Sequence, residues 1–148
     1  MAETRTWRSG DFVVTTDPAA VDLDVVHRFL SEDSYWAFGR TRDAQARANA
    51  SCTCFSVIHQ PSARMVGFAR VLHDDVSFGW VADVFVLESE RGNGLGTFLM
   101  RCVDEAFAHV ARLVLGTRDA HGVYAKVGFE PISRVDRWME RWHEPPNP

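Results

Sequence analysis

The chain has 148 residues, 46% of them hydrophobic and 24% charged, which is typical of one soluble globular domain spanning 1–148. Its formal net charge of −4 argues against nucleic-acid binding through a broad basic surface. No apolar run approaches the roughly 20 residues of a membrane span. The first ten residues also lack the apolar stretch of a signal peptide, so we expect a cytoplasmic protein without a membrane partner.

The cysteine content argues against both a disulfide framework and a metal site. Cys52, Cys54 and Cys102 are an odd number of thiols in a chain without a secretory signal. A zinc site needs about four ligands, whereas the Cys52 and Cys54 pair supplies two. We therefore expect buried, unreactive thiols and no metal.

The first half of the chain predicts a strand, two helices and then a hairpin. A strand over 11–16 is followed by a helix over 17–33, which begins with Asp-Pro, a favourable N-terminal pair. The aromatic loop 34–40 leads into a second helix over 41–50. Two β-rich runs, CTCFSVIH and RMVGFARVL, then flank the turn sequence QPSA, as in an antiparallel hairpin.

The second half predicts two further pairs of strand and helix. A strand over 76–87 is nearly all apolar in its later half, as expected for a strand buried on both faces. The helix that begins at Leu95 repeats apolar residues at three-and-four spacing. A strand over 112–117 and a helix over 118–127 follow, and GFEPIS and DRWMERW are predicted as final strands.

These elements occur in the order β-α-α-β-β-β-α-β-α-β-β. That order predicts a mixed α/β sheet, antiparallel early in the chain, with helices covering both faces.

The stretch ERGNGLGTFLM, between the buried strand and the long helix, carries alternating glycines. A P-loop would need a Lys after its last glycine, and Lys126 is the only lysine of the chain. A dinucleotide fingerprint would need GxGxxG after a first strand, whereas Gly92, Gly94 and Gly96 follow a fourth. Neither nucleotide motif fits this turn.

What remains is R-x-x-G-x-G, formed by Arg91, Gly94 and Gly96 at a helix N-terminus. First-turn N–H groups lack partners and the helix dipole is positive there, so a pyrophosphate can bind where no side chain blocks its approach. The alternative is a plain turn whose glycines only supply positive φ angles.

Two stretches resemble signatures of the GNAT superfamily of acyl-CoA N-acyltransferases. DVFVLESERGNGLGTFLM is similar to its acetyl-CoA motif, in which a hydrophobic strand leads to [QR]-x-x-G-x-[GA]. TRDAHGVYAKVGFEPI is similar to its second signature, through Ala120, Tyr124, Gly128 and Phe129. The resemblance implies a mainly antiparallel sheet of six to seven strands, splayed between its fourth and fifth strands, with helices on both faces.

The resemblance also implies acetyl-CoA as co-substrate. The pantetheine arm would pair with the fourth-strand backbone, and the pyrophosphate would lie on the glycine turn. Many members carry Asn where this chain has Thr117, so Thr117 is carried over as the weaker match. The implied cofactor-binding residues are Phe85, Val86, Leu87, Arg91, Gly92, Asn93, Gly94, Leu95, Gly96, Thr97 and Thr117.

Two residues are the candidates for catalysis by direct attack of an amine. The resemblance implies Tyr124 as the acid that protonates the leaving thiolate, although Tyr124 also fits the apolar stripe of its helix. Asp83 is the only acid inside an apolar strand and is the candidate base, with a structural carboxylate or a water chain as alternatives. Glu88, at the strand end, is a weaker candidate.

The acceptor pocket is expected between the aromatic loop and the fourth strand, with Tyr35, Trp36, Arg40 and Trp80 as candidates beside Ser34 and Phe78. Trp36 and Phe38 can instead hold the loop to the core. The favoured function is an N-acetyltransferase acting on a small primary amine, in a protein that can form a homodimer. The alternatives are a protein acetyltransferase, a non-catalytic acyl-CoA-binding module and, less favoured by the glycine spacing, a nucleotide-binding regulatory domain.

Overall fold

The computed structural model describes residues 3–144, which form one six-stranded sheet with helices on both faces. The strands lie in chain order across the sheet, the first four pairings are antiparallel, and the last pairing is parallel. The strands are β1 (Thr6–Ser9), β2 (Phe12–Thr15), β3 (Thr53–His59), β4 (Arg64–His73), β5 (Gly79–Val86) and β6 (Leu113–Val114).

Residues 3–144 contain four α-helices, of which the first three connect strands and the fourth follows β6. The helices are α1 (Leu23–Arg28), α2 (Arg42–Ala50), α3 (Leu95–Ala106) and α4 (His121–Ala125). The helix predicted over 17–33 is divided, because Asp17 caps a separate 3-10 turn and Asp22 then caps α1, accepting from two backbone N–H groups. A π-helical turn over Phe29–Asp33 continues α1. No helix within residues 3–144 is long and apolar enough to cross a membrane.

The ends of the chain depart from the sequence prediction. The strand β1 was missed because its side chains are mostly exposed and give no apolar alternation. The two strands predicted after α4 are wrong: residues 128–144 form no strand, and Val135–Arg137 is a 3-10 turn with exposed side chains. The predicted strand 112–117 is reduced to β6.

The core has two parts, one on each face of the sheet. Leu99, Met100 and Val103 of α3 pack on one face, and Val26 and Leu30 pack on the other. All five side chains are fully buried. The thiols of Cys54 and Cys102 are buried with them, and burial raises the pKa of each to about 12.

β5 is irregular along both of its edges, and the sheet is open on the side of β6. β5 pairs with β6 only at Gly79 and Trp80, and beyond Trp80 the two chains separate. The register with β4 shifts between Phe68 and Arg70, where β5 carries an extra residue. Asp83 lies in this bulge with φ of 53°, a left-handed conformation that a non-glycine residue rarely adopts. The predicted splay between the fourth and fifth strands, here β5 and β6, is thus present.

Candidate active site

A cavity of about 810 Å³ fills the opening between β5 and the chain that follows β6. Residues 81–86 line one side, and residues 115–120 with Val123 and Tyr124 line the other. The aromatic loop closes one end and Arg91 with Gly96 lies at the other. The cavity therefore exposes strand backbone that a continuous sheet would have covered.

At the glycine end, the backbone is held in an open conformation. Gly92 and Gly94 have φ angles of 86° and 72°, and a Cβ at either position would meet no atom within 4 Å. Gly94 is the N-cap of α3 and offers no side chain to the first-turn N–H groups. These amides and the positive end of the α3 dipole are thus available to an anion.

The candidate cofactor residues fall into two groups around this turn. Phe85, Val86, Arg91, Gly96 and Thr117 line the cavity directly. The other candidates do not line the cavity. Leu87 directly follows β5, and the rest lie on the glycine turn or in the first turn of α3: Gly92, Asn93, Gly94, Leu95 and Thr97.

Three of these residues already have structural partners. Leu87 N donates to Val66 O at 2.8 Å, and the Leu95 side chain is buried beneath α3. Thr117 Oγ1 accepts from Ala120 N at 3.1 Å and so holds the turn that begins α4. Any contact of Leu87, Leu95 or Thr117 with a ligand would therefore be made by other atoms of these residues.

Tyr124 lies on α4, half-buried, with its ring in contact with the core and with the cavity. Gly128 has φ of 95°, and Phe129 N donates to Tyr124 O at 3.1 Å, so the Gly-Phe pair ends the helix and fixes Tyr124. Burial, with the nearby Tyr35 and Asp119, raises the pKa of Tyr124 to about 12. The phenol therefore stays protonated at neutral pH.

Asp83 is at the centre of a buried polar cluster, which also contains Trp36, Arg40, Gln45 and Arg70. Its Oδ1 accepts from Trp36 Nε1 at 2.9 Å. Its Oδ2 accepts from Arg70 Nε at 2.6 Å, Arg40 Nη1 at 2.7 Å and Gln45 Nε2 at 3.2 Å. We call these five residues the Asp83 cluster.

The cluster makes Asp83 a weak proton acceptor. Burial alone would raise its pKa, but the charges and hydrogen bonds of Arg70, followed by Arg40 and Gln45, hold the pKa below its usual value. Its side chain is only 1% exposed. This environment favours the structural interpretation of Asp83 over the role of general base.

The acceptor candidates Tyr35, Trp36, Arg40 and Trp80 all line the cavity. Among the other candidates, Ser34 is buried and caps local backbone, and Phe78 packs near Trp138. Glu88 is exposed in a 3-10 turn away from the cavity lining.

Gln45 and Arg70 were not predicted as site residues from the sequence. Gln45 sits in a helix of weak amphipathicity and is completely buried. Arg70 interrupts an otherwise apolar strand, opposite Ala82 and next to Asp83, and this interruption was the available signal.

A bridge spans the cavity between the aromatic loop and the chain after β6. Arg118 N donates to Tyr35 Oη at 2.9 Å, and the Arg118 guanidinium lies 3.9 Å from the centre of the Tyr35 ring. Tyr35 also packs edge-to-face on Trp36. The bridge narrows the cavity at the end that holds the Asp83 cluster.

The fold, the splayed strands and the glycine turn agree with comparisons to known proteins. Residues 23–129 match the model of the Acetyltransferase (GNAT) family. The chain belongs to this family and is an acetyltransferase. The identification from the two sequence signatures is thereby confirmed.

Individual relatives agree with this assignment. A Gibberella zeae protein with the provisional name of acetyltransferase is 30% identical over 88% of this chain and 85% of its own. A Xanthomonas campestris pv. campestris crystal structure, provisionally assigned to GNAT acetyltransferases, is 34% identical with a TM-score of 0.82, over 97% of this chain and 95% of that one. A GNAT-family acetyltransferase from Streptococcus pneumoniae TIGR4 is 25% identical with a TM-score of 0.67, over 90% and 96%.

Proposed function

We propose that the protein transfers the acetyl group of acetyl-CoA to a primary amine of a small molecule. The observation that carries the proposal is the cavity itself. Free backbone of β5, the uncapped N-terminus of α3 and the protonated Tyr124 share one opening. Anion binding, thioester alignment and an acid are the three requirements for acetyl transfer from CoA.

For the donor, the glycine turn from Arg91 to Thr97 holds the pyrophosphate. The first-turn amides donate to its oxygens, and Arg91 adds a positive charge while its Nε is held by Val86 O at 3.2 Å. The pantetheine arm follows the free edge of β5 near residues 85–87, on the side where β6 has diverged. Thr117 contributes from the opposite side of the cavity.

In the chemical step, the neutral amine nitrogen attacks the thioester carbon, a C–N bond forms and the C–S bond breaks. The departing CoA thiolate takes a proton from the Tyr124 hydroxyl, which burial keeps protonated at neutral pH, and water in the cavity then reprotonates the phenolate. A backbone N–H of the bulged β5 polarises the carbonyl oxygen. The amine's own proton passes to water in the open cavity, because Asp83 is already bonded to two guanidinium groups.

The cavity favours a small acceptor over a protein surface. The Tyr35–Arg118 bridge limits approach from the acceptor end, and a lysine on a folded protein would have to pass it. Trp36 and Trp80 offer aromatic faces to an apolar or cationic amine.

Incubation with acetyl-CoA and a panel of amines, with release of free thiol as readout, tests the proposal. Mass spectrometry of the amine should show one added acetyl group. Turnover of peptide lysines or N-termini alone would favour the protein acceptor. Tight CoA binding without thiol release for any amine or peptide would instead favour a binding module.

The assembly and location stay predictions. A homodimer would cover exposed apolar side chains such as Val135, Met139 and Trp142 of the C-terminal segment. The mass of the protein in solution tests the dimer, and cell fractionation tests the cytoplasmic location.

A further inference from the structure

We propose that the acceptor carries an anionic group, a carboxylate or a phosphate, which binds the guanidinium of Arg40. The inference rests on the proposed function and narrows its substrate class. It is carried by the charge balance of the Asp83 cluster and by the nitrogen atoms that Arg40 leaves free.

The Asp83 cluster contains two cations and one anion. The single carboxylate of Asp83 pairs with both Arg40 and Arg70, so the cluster keeps a formal charge of +1. The lining of the whole cavity also has an excess of one formal positive charge, because it contains four arginines and three aspartates. An uncompensated positive charge in a partly dehydrated cavity favours binding of an anion.

Arg40 has the donors to receive that anion. The guanidinium of Arg40 donates two hydrogen bonds, both from Nη1, to Asp83 Oδ2 and to Gln45 Oε1, each at 2.7 Å. Its Nε and Nη2 donate to no group within residues 3–144. The fully buried side-chain atoms that lack a partner there are Ser56 Oγ and His73 Nδ1, so neither of the free Arg40 nitrogens is fully buried.

The guanidinium is also held in place before any ligand arrives. Gln45 is completely buried, accepts from Arg40 and donates to Asn49 Oδ1 at 2.8 Å. At the other end of the residue, Arg40 O is bonded to His27 Nε2 at 2.9 Å. An arginine fixed in this way loses little entropy when its planar donors meet a carboxylate or phosphate.

The other arginines of the cavity are less suited to the acceptor. Arg70 donates through Nη1 to Cys52 Sγ, and its side chain is 14% exposed, against 26% for Arg40. Arg118 lies over Tyr35 and close to Asp119, and Arg91 lies at the glycine turn. Arg40 is thus the cationic side chain beside Trp36 that still has hydrogen-bond donors free to bind an acceptor.

Matched sets of amines test the inference with the protein saturated with CoA. One set is phenylalanine, phenylalaninamide and 2-phenylethylamine, and the second is O-phosphoethanolamine with ethanolamine. Binding is measured by calorimetry, and kcat/KM by thiol release in the presence of acetyl-CoA. We expect the better anionic member to exceed its neutral partners by about ten- to hundredfold, the range of one or two charge-assisted hydrogen bonds. The two sets distinguish a carboxylate from a phosphate.

Variants separate recognition by Arg40 from a structural role. In Arg40→Gln, the kcat/KM values of anionic and neutral amines should become nearly equal. The KM for the anionic amine should rise, while the KM for acetyl-CoA stays unchanged. Arg40→Lys should restore part of the preference. Arg64→Gln removes an equal charge at the exposed start of β4 and should preserve the preference, and thermal unfolding checks the fold of each variant.

Parity of anionic and neutral amines in the wild type would overturn the inference, as would equal losses for both classes in Arg40→Gln. A raised KM for acetyl-CoA in Arg40→Gln would assign Arg40 to the donor and overturn it too. If neutral and anionic amines are acetylated with equal kcat/KM, the proposed function stands and only this inference fails. If anionic amines bind through Arg40 but no thiol is released, the anion site stands and the proposed function fails.

Discussion

The two ends of the cavity are built by opposite means. The glycine end comes from one contiguous stretch, residues 91–97, and offers backbone amides without side chains around them. The Asp83 cluster is assembled from side chains of distant segments, with Trp36 lying 47 residues before Asp83 in the chain. The glycine end leaves the first-turn amides of α3 without a side-chain cap, whereas the other end already satisfies its central carboxylate.

The energetic costs of the two ends differ accordingly. The glycine end needs positive φ angles, which glycine adopts without steric cost. The Asp83 cluster dehydrates three charged groups and offsets that cost only through short, well-directed hydrogen bonds. Substitutions at the glycine end should therefore change ligand affinity, and removal of Arg70, the more buried of the two arginines paired with Asp83, should change stability.

Removal of Arg70 should produce the largest effect and tests the second half of this comparison. In Arg70→Met, Asp83 loses the donor at 2.6 Å while remaining buried. We expect the free energy of unfolding to fall by about 3–5 kcal/mol, the usual cost of breaking a buried pair from one side. Denaturant unfolding measures it.

Arg64→Met is the matched control, because Arg64 begins the same strand but is exposed. Its free energy of unfolding should change by no more than about 0.5 kcal/mol. If Arg70→Met behaved like the control, the remaining partners of Asp83 would suffice to hold its charge, and the contrast between the two ends would disappear.

Removal of the Tyr124 hydroxyl should produce the next largest effect, at the point where the two ends meet. Tyr124→Phe should lower kcat by about 100-fold, within the range for loss of a general acid, with the Kd for CoA nearly unchanged. Because the pKa of Tyr124 is raised to about 12, the wild type should show no loss of kcat from this group between pH 6 and about pH 10.

Tyr35→Phe is the comparison variant, since Tyr35 and Tyr124 are the two tyrosines of the chain. Tyr35→Phe removes the acceptor for Arg118 N but keeps the ring. It should raise the KM for the amine and leave kcat largely intact. A kcat in Tyr124→Phe equal to that of the wild type would show that Tyr124 is a core residue alone.

The same contrast explains how much of the site was predictable. The glycine turn could be predicted because Arg91, Gly94 and Gly96 lie within six residues of one another and form one local turn before α3. The Asp83 cluster was found only in part. Asp83 was recognised as an isolated acid in an apolar strand, but Gln45 and Arg70 were missed because nothing local in the sequence pairs them with it.

The sheet shows a similar limit. The strands β2 to β5 were predicted from β-rich or nearly all-apolar runs, and each contributes side chains to the core beneath the helices. The segments GFEPIS and DRWMERW, which were predicted as strands, lack this packing, since Ile132, Met139 and Trp142 are exposed. Periodicity indicates which face a segment can bury, but a strand also needs a neighbour to pair with.

A side chain at the glycine end should have a smaller effect, confined to ligand affinity. Gly94→Val places a Cβ at φ of 72° in space where no protein atom lies within 4 Å. The left-handed conformation costs about 1–2 kcal/mol of stability, and the added methyl groups should raise the Kd for CoA about tenfold or more by blocking the pyrophosphate. Calorimetric titration with CoA measures the affinity.

Gly10→Val is a matched control for the backbone strain. Gly10 has φ of 55° in the turn between β1 and β2, also with no atom within 4 Å of a built Cβ. It should lose similar stability and keep the affinity for CoA. An equal loss of CoA affinity in both variants would indicate a general effect of strain and would remove the glycine turn as the anion site.

The free energy of unfolding at acidic pH should show the smallest effect. Its pH dependence separates the contribution of the Asp83 charge from that of the side chain's shape. Because its pKa is lowered in the folded state, the unfolded chain binds more protons just below pH 4, and the stabilisation by Asp83 is lost as pH falls further. Asp83→Asn should be less stable than the wild type near neutral pH, and the gap in free energy of unfolding should narrow as pH falls below about 4, closing fully only where the folded wild-type carboxylate is protonated too. In Asp24→Asn, which breaks an exposed pair with Arg42, the gap should be small at every pH. A gap in Asp83→Asn that stays constant down to pH 2 would mean that the cluster depends on the shape of the side chain and its hydrogen bonds, and that the negative charge contributes nothing to holding the two arginines.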